Sequence, residues 1–165
     1  MAVDSADELR RVLGCLPTGV VIAAAYSRDG LVGMAANSIT SVSLDPPLIS
    51  ICIAHTSSTW PRIRETGRFC VNILAEHHEE TSRRFASRGV DRFAGLSWHD
   101  RPGGPALDDA VAWIDCEVTA EHPAGDHTIV VARVIDLKAT DDGLALVFFR
   151  SRYGGFVPST APEKR

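Results

Sequence analysis

Short apolar runs separated by turn residues dominate the chain, and they predict strands more often than helices. The run 20–26 begins with β-branched residues and ends at Ser27-Arg28-Asp29-Gly30, whose Asp-Gly pair is typical of a hairpin turn. A similar turn cluster, Thr140-Asp141-Asp142-Gly143, joins the last two runs. The pattern predicts about seven strands, at 20–26, 31–44, 48–53, 68–74, 111–121, 127–137 and 144–149.

Helical spacing appears in three other segments. Ser5-Ala6-Asp7-Glu8 has the form of a capping box, and apolar residues follow at helical spacing until Pro17, so residues 1–16 are predicted to carry an N-terminal helix. Thr59 precedes a proline by two positions and is the predicted N-cap of a short second helix. The three predicted helices lie at 5–16, 59–67 and 76–86, the last one at the surface.

The order of these elements predicts the fold class. Strands that follow one another through hairpin turns favour a mainly β, antiparallel barrel with flanking helices over a doubly wound parallel sheet. Residues 1–165 are expected to form a single domain, with an ordered loop at 91–105 and a C-terminal tail at 156–165. Neither a GxGxxG nor a GxxxxGK[ST] pattern occurs, so a bound nucleotide is not expected in a Rossmann or P-loop device.

Charge and hydropathy restrict the partners and the compartment. The 17 basic and 21 acidic residues give a net charge of −4, and this balance argues against nucleic acid and anionic membranes as partners. The longest apolar stretches, 19–25 and 48–54, are far shorter than the roughly 20 residues that span a bilayer. Asp4, Asp7 and Glu8 stand where a secretory signal carries positive charge, so the predicted location is cytoplasmic.

No residue spacing predicts a metal site. The four cysteines are widely spaced without a CxxC pattern, and we interpret them as reduced. His77 and His78 are adjacent and therefore do not share a helix face, so we assign the pair to solvent. The chain also lacks a GxSxG elbow and a paired-carboxylate segment, which argues against nucleophilic or acid–base hydrolysis.

Three segments carry candidate chemistry. Gly33–Ser43 combines small residues, which let a planar ligand approach the backbone, with uncharged hydrogen-bonding side chains. His55–Thr59 is a hydroxyl-rich loop before a helix, which suits a phosphate. Gly125-Asp126-His127 places an imidazole on a turn between two strands. Taken singly, each is also typical of an ordinary solvent-facing strand, a helix cap or a surface turn.

The order and spacing of the three segments together resemble the flavin reductase-like family, the FMN-binding split β-barrel proteins that act as reductase components of two-component flavin-dependent monooxygenases. The resemblance runs from about residue 9 to residue 155, and the block 37–48, Asn-Ser-Ile-Thr-Ser-Val-Ser-Leu-Asp-Pro-Pro-Leu, is its most specific part. The other carrying segments are 16–20, 33–34, 57–60, 69–74, 84–85, 125–127 and 152–154. Ala35 and Ile39 depart from the Thr and Phe that typical members have.

The resemblance implies the following site. The isoalloxazine ring would be lined by Ala36, Asn37, Ser38, Ser41, Val42 and Ser43, and the flavin phosphate would be held by Ser57, Ser58 and Thr59. Ala54 would lie beside the ribityl chain, and Arg84 and Phe85 would meet the distal phosphate or adenine of FAD. His127 and Tyr153 would lie near the nicotinamide dinucleotide, His127 as a positioning group without a role in proton transfer.

The resemblance also implies an activity. The protein is expected to be an NAD(P)H:flavin oxidoreductase, with NADH favoured, that reduces FMN or FAD by hydride transfer and supplies the reduced flavin to a separate monooxygenase as a homodimer. One alternative is a flavin carrier or sensor on the same barrel without reductase activity. Another is an oxidase of a phosphorylated pyridoxine-type substrate, which would need a cationic cluster for which the sequence offers Arg62, Arg64 and Arg68.

Overall fold

The computed structural model describes residues 5–159, and these form three α-helices and twelve strands. The helices are α1 (Ala6–Leu13), α2 (Trp60–Thr66) and α3 (Glu79–Ala86), the last preceded by a 3-10 turn at Glu76–His78. The strands are β1 (Thr18–Gly19), β2 (Val21–Ser27), β3 (Gly30–Ala36), β4 (Thr40–Leu44), β5 (Pro47–Ala54), β6 (Arg68–Ile73), β7 (Trp98–Asp100), β8 (Pro105–Leu107), β9 (Ala112–Ala124), β10 (His127–Ala139), β11 (Leu146–Phe149) and β12 (Arg152–Gly155).

Seven of the strands form one antiparallel sheet in the order β3-β2-β6-β9-β10-β5-β4. Its edge strands, β3 and β4, are consecutive in the chain, but the described residues form no ladder between them. The sheet therefore curls into a barrel that stays open along the β3–β4 seam. This split, mainly antiparallel barrel confirms the predicted fold class.

Two apolar clusters pack on opposite faces of the sheet. Val21, Ala23 and Ala25 of β2 face the barrel interior, whereas Ile22 and Ala24 face an outer cluster. Burial on both faces explains why β2 reads as a continuous apolar run rather than an alternating one. The inner cluster is completed by β5, β10 and the side chains of α2, and the outer one is covered by α3, β8 and β11.

The predicted strand at 31–44 is two strands, because Ser38 interrupts it. Its hydroxyl donates to the Cys52 carbonyl oxygen at 2.9 Å and accepts the Cys52 amide hydrogen at 3.1 Å. At Cys52 the Ser38 side chain thus takes the place of a backbone partner for β5. The chain thus leaves β3, crosses the seam at residues 37–39 and enters β4. Sequence alternation does not distinguish this crossing from a continuous strand.

The segment predicted as an ordered loop at 91–105 contains strand β7 and is anchored by a buried carboxylate. Asp115 is fully buried, accepts the Gly103 amide at 2.9 Å and pairs with Arg101 at 2.7 Å. Gly104 has a φ of 154°, and a Cβ there would lie 2.4 Å from the Ala24 carbonyl oxygen, so only glycine fits this approach. The segment is consequently fixed against the outer face of the barrel.

No helix within residues 5–159 combines the length and the hydrophobicity needed to cross a bilayer. Part of the tail predicted at 156–165, residues 160–165, lies outside the described residues.

Candidate functional site

Three arginine side chains line a cavity beside β3 and the loop before α2. This arginine cavity has a volume of about 650 Å³ and is lined by Leu31, Val32, Gly33, Ser58, Thr59, Arg62, Arg88, Gly89, Val90, Asp91, Arg92, Phe93, Ala94 and Trp98. The sequence analysis named Ser58 and Thr59, and it named Arg62 for an alternative substrate, but it missed Arg88 and Arg92. These two arginines contact Thr56, Gly33 and Thr59, which are distant in sequence, so no local motif indicates them.

Arg92 connects the parts of this cavity. Its guanidinium donates to the Gly33 carbonyl oxygen at 2.6 Å, to the Thr59 hydroxyl at 2.7 Å and to the Ser87 carbonyl oxygen at 2.6 Å. Loss of hydration lowers the pKa of Arg92, and the charges of Arg62 and Arg88 lower it further. An anion bound in the cavity would relieve this repulsion.

The three arginines have no carboxylate partner within residues 5–159. Arg62 donates to the Ser27 hydroxyl at 3.0 Å, while its buried Nε has no hydrogen-bond partner in the described chain. Arg88 donates only to the Thr56 carbonyl oxygen, at 3.2 Å. A buried guanidinium nitrogen without a hydrogen-bond partner destabilises the folded chain. Phosphate oxygens would accept hydrogen bonds from these donors, so the donors fit a phosphorylated ligand.

The hydroxyl loop supports this cavity in a different way from the predicted one. Thr59 occupies the N-cap position of α2, but its side chain caps nothing. Instead, the Ser57 hydroxyl accepts the Trp60 amide at 3.1 Å. Thr59 is buried and bound to Arg92, whereas Ser58 is exposed. Only part of the loop is thus available to a ligand.

Close packing behind the cavity depends on Gly33. A Cβ at this position would lie 2.8 Å from the ring of Phe85. Phe85 itself is only 1% exposed and belongs to the outer apolar cluster, so its ring does not reach a surface where FAD could bind, contrary to the role predicted for it. Arg84 donates to the Ala94 carbonyl oxygen at 2.6 Å and pairs with Glu80, and it does not line the arginine cavity.

A smaller cleft brings three other predicted residues together. This tyrosine cleft, about 180 Å³, is lined by Val20, Ala35, Ala36, Asn37, Ser82, Ala86, Phe148 and Tyr153. The Tyr153 hydroxyl lies 3.0 Å from the buried Ser82 hydroxyl, and the Arg83 guanidinium lies 4.9 Å from the Tyr153 ring centre. Tyr153 also borders a hollow of about 770 Å³ that Arg150 and Arg152 line.

The remaining predicted residues lie at the seam and at the β5–β10 end. Ser41 and Val42 are exposed on edge strand β4, and Ser43 is half-buried there. His127 is the cross-strand partner of Ala54, so the register places these two predicted residues side by side. Of the cavities formed by residues 5–159, neither the arginine cavity nor the tyrosine cleft includes them.

The side chain of His127 contacts the neighbouring carboxylate. Its Nδ1 lies 2.7 Å from a carboxylate oxygen of Asp126, and this contact lowers the pKa of Asp126. A carboxylate only accepts, so the hydrogen of the neutral ring is on Nδ1 and Nε2 is an acceptor. An imidazole in this state suits a ligand that presents an N–H group.

Other reactive side chains do not form an alternative centre. Burial raises the pKa of the Cys116 thiol to about 12 and also raises that of Cys70, so neither supplies a thiolate near neutral pH. All four cysteines are free. Of the three arginines that the sequence offered for a phosphorylated pyridoxine-type substrate, Arg64 pairs with Glu121 and Arg68 with Glu117, and only Arg62 lines the arginine cavity.

The histidine pair was wrongly assigned to solvent as a whole. His77 is exposed, but His78 is 4% exposed, and its Nδ1 accepts the Ala75 amide at 3.0 Å. Both rings approach the carboxylate of Asp109, at 3.2 and 3.1 Å. Because Nδ1 of His78 is an acceptor, its Nε2 carries the hydrogen that is donated to Asp109, and this nitrogen is not available to a metal.

The fold and these cavities define a class: a split antiparallel barrel with an arginine-lined cavity beside strand β3. A family model described as "Flavin reductase like domain" matches residues 13–156. The chain therefore belongs to the flavin reductase-like family.

Individual relatives agree with this. A flavin reductase of Pseudomonas putida is 44% identical over 149 residues, which cover 89% of this chain and 88% of that protein. The structure of nitrilotriacetate monooxygenase component B from Mycobacterium thermoresistibile has a TM-score of 0.90 at 39% identity, covering 96% of this chain and 91% of that one. The NADH:FAD oxidoreductase of Streptomyces globisporus has a TM-score of 0.86 at 35% identity, covering 96% and 98%.

Proposed function

We propose that the protein is an NAD(P)H-dependent flavin reductase that uses NADH and passes reduced FMN or FAD to a separate monooxygenase. The observation that carries the proposal is the arginine cavity, where three guanidinium groups without carboxylate partners in the described chain adjoin Ser58 and Thr59. The similarity to a NADH:FAD oxidoreductase and to a monooxygenase component supports the same function.

The proposed flavin phosphate lies in the arginine cavity. The guanidinium of Arg92 is held by two carbonyl oxygens and the Thr59 hydroxyl. These hydrogen bonds fix the position of its positive charge in the cavity. Charge-assisted hydrogen bonds of this kind are short and strong. The unpartnered Nε of Arg62 supplies a further donor.

The ring of the flavin, which supplies the hydride acceptor when bound, is proposed to lie along the β3–β4 seam. Ala36 and Asn37 border the tyrosine cleft, and Ser41 and Ser43 follow on β4. Uncharged donors here can stabilise negative charge on a reduced ring without a salt bridge to the oxidised form. A weak hold suits a flavin that must leave for another protein.

The nicotinamide is proposed to be oriented by His127 and Tyr153. His127 presents an accepting Nε2, which matches the N–H donors of a carboxamide, while Asp126 fixes its tautomer. Hydride transfer needs the two rings in contact and water excluded, and it needs no general base from the protein.

We also propose a homodimer in the cytoplasm, where NADH is available. Helix α1 has no buried residue in a single subunit, and Leu9, Val12 and Leu13 are 46%, 54% and 58% exposed. A helix of eight residues is marginal alone, so this apolar face is expected to be covered by a second copy.

An anaerobic assay tests the function directly. Purified protein is mixed with FMN, FAD or riboflavin and then NADH or NADPH, and the flavin absorbance is followed. Bleaching by NADH is expected, and Arg92→Gln should raise KM for FMN and FAD on the order of tenfold without affecting riboflavin comparably. Arg133→Gln, at an exposed position on β10, is the matched control. Flavin binding without bleaching would instead identify a carrier or sensor.

A further inference from the structure

The arginine cavity is larger than a phosphate group requires. Its volume of about 650 Å³ lies within the range of roughly 300–1,000 Å³ that sites for small organic ligands have. Its lining includes three guanidinium groups and also the apolar side chains of Leu31, Val32, Phe93 and Trp98. The cavity therefore has room and apolar lining for more than a phosphate group.

Trp98 gives this volume a flat aromatic wall. The indole is 37% exposed, and it packs edge-on against Tyr26 with ring centres 6.1 Å apart. Strand β7 is fixed by its pairing with β8, in which Trp98 is opposite Leu107, and the Tyr26 hydroxyl donates to Asp100. A fixed, partly exposed indole is a stacking surface for a nucleobase.

Arg88 belongs to this lining and has few contacts with the protein. It makes a single hydrogen bond, to the Thr56 carbonyl oxygen, and its residue is exposed. Arg92 uses its donors on the protein itself, so Arg88 has the greater capacity to bind a second phosphate. The lining thus combines donors for two phosphates with an aromatic plane.

We propose that the arginine cavity takes an adenosine 5′-diphosphate unit, so that the flavin this protein selects is FAD and not FMN, with Arg88 and Trp98 as the residues that determine this choice. The inference rests on the proposed function. Both FAD and the nicotinamide dinucleotide contain such a unit. Gly33, Ser58 and Thr59 belong to the same lining. Because the proposed function places the flavin phosphate beside Ser58 and Thr59, we assign the adenosine diphosphate unit to the flavin.

Equilibrium titration tests the inference without relying on turnover. Apoprotein is titrated with FAD and FMN by flavin fluorescence, and FAD should bind about tenfold or more tightly. Trp98→Leu and Arg88→Gln should each remove most of this preference by weakening FAD, with FMN changed less than about twofold. Trp98→Phe should restore FAD affinity in part, and Arg133→Gln should change neither flavin. Thermal midpoints verify that each variant is folded.

The alternative outcomes are distinct. Equal affinity of the wild type for FAD and FMN, or an equal loss of both in the two variants, would overturn the inference. If the two variants raise KM for NADH and leave FAD affinity unchanged, the cavity binds the dinucleotide, and the inference is also overturned. If FAD binds selectively but NADH bleaches no flavin, the proposed reductase function fails while the FAD selectivity stands.

Discussion

Ser41 illustrates how a residue can matter to a ligand and little to the fold. It is exposed on edge strand β4, so Ser41→Leu should change the free energy of unfolding by less than about 0.5 kcal/mol. The added side chain should nevertheless weaken flavin binding on the order of tenfold, because it fills the seam where the ring is proposed to lie. Titration and thermal unfolding measure the two effects. Thr119→Leu, at an exposed position of β9, is the control.

Loss of the fold in Ser41→Leu with unchanged flavin affinity would mean that this strand supports the core instead of the ligand.

His127 is expected to act on the dinucleotide alone. His127→Ala should raise KM for NADH and lower kcat/KM on the order of tenfold, since about 1–2 kcal/mol is lost with one hydrogen bond and some stacking. Flavin affinity should hardly change. Steady-state kinetics with varied NADH measure this, and His122→Ala, an exposed histidine on β9, provides the comparison. Unaltered NADH kinetics would leave His127 as a turn residue.

The sequence predicted individual site residues unevenly. Ser58, Thr59, Ala36, Asn37 and Tyr153 line cavities, and these are residues of continuous motifs. Arg88 and Arg92 were missed, because they contact the carbonyl oxygens of Thr56 and Gly33, whose proximity is created by the fold. Side-chain burial is also decided by tertiary packing, and the interior position of Phe85 therefore has no local signal.

The buried ion pair between Asp115 of β9 and Arg101 fixes the position of β7, the strand that contains Trp98. Asp115 is fully buried and bound to Arg101 and the Gly103 amide. Asp115→Asn should destabilise the protein by about 3 kcal/mol, because the amide removes the only buried counter-charge that Arg101 has among the described residues. Asp136→Asn, which removes the exposed partner of the same arginine, should cost less than about 1 kcal/mol. Urea denaturation gives both values, and equal small losses would contradict the anchoring role.

His78, the residue before α3, is expected to make the free energy of unfolding depend on pH. Burial lowers the pKa of His78, so the folded chain keeps the ring neutral while the unfolded chain binds a proton near pH 6.5. The contribution is present above that pH and is lost as the pH falls below it, by at most about 1.4 kcal/mol per pH unit. Urea unfolding at pH 7.5 and 5.5 should show a smaller loss for His78→Asn than for wild type. Equal losses would refute this.

Asp109 does not cause this dependence. Partial burial opposes its ionisation, but hydrogen bonds from His77 and His78 outweigh that effect and lower its pKa, so it stays charged throughout this range. His122→Asn, at an exposed position, controls for histidine removal in general.

The elements that the sequence predicted correctly are those with strong apolar patterns, such as β2, β5 and β10. The missed elements are short: β1 has two residues, β7 and β8 three each, and β12 four. Their pairing depends on partners elsewhere in the chain, and so no periodicity within them is long enough to be detected. The division of the predicted strand 31–44 into β3 and β4 also has no local signal, because it depends on the hydroxyl of Ser38 and its contact with Cys52.

For the whole molecule, the proposed dimer is testable through α1. Sedimentation should give twice the mass of one chain, and replacing Leu9 and Val12 together with Glu should yield a monomer, because two charges would be buried in the interface. Arg10→Glu, on the same helix but paired with Asp7 at its surface, should remain dimeric. A wild-type monomer with full reductase activity would contradict the proposal.

The antiparallel pairing of strands far apart in the chain has a consequence for how the barrel is made. Ile22 pairs with Asn72, fifty residues away, and Ala54 pairs with His127 across an even longer segment. Closing such loops costs chain entropy before any contact rewards it, and topologies of this kind fold in milliseconds to seconds rather than microseconds. Strands β3 and β4 are each held along one side only, so the seam where the flavin is proposed to bind is the part of the barrel whose closure a ligand can assist.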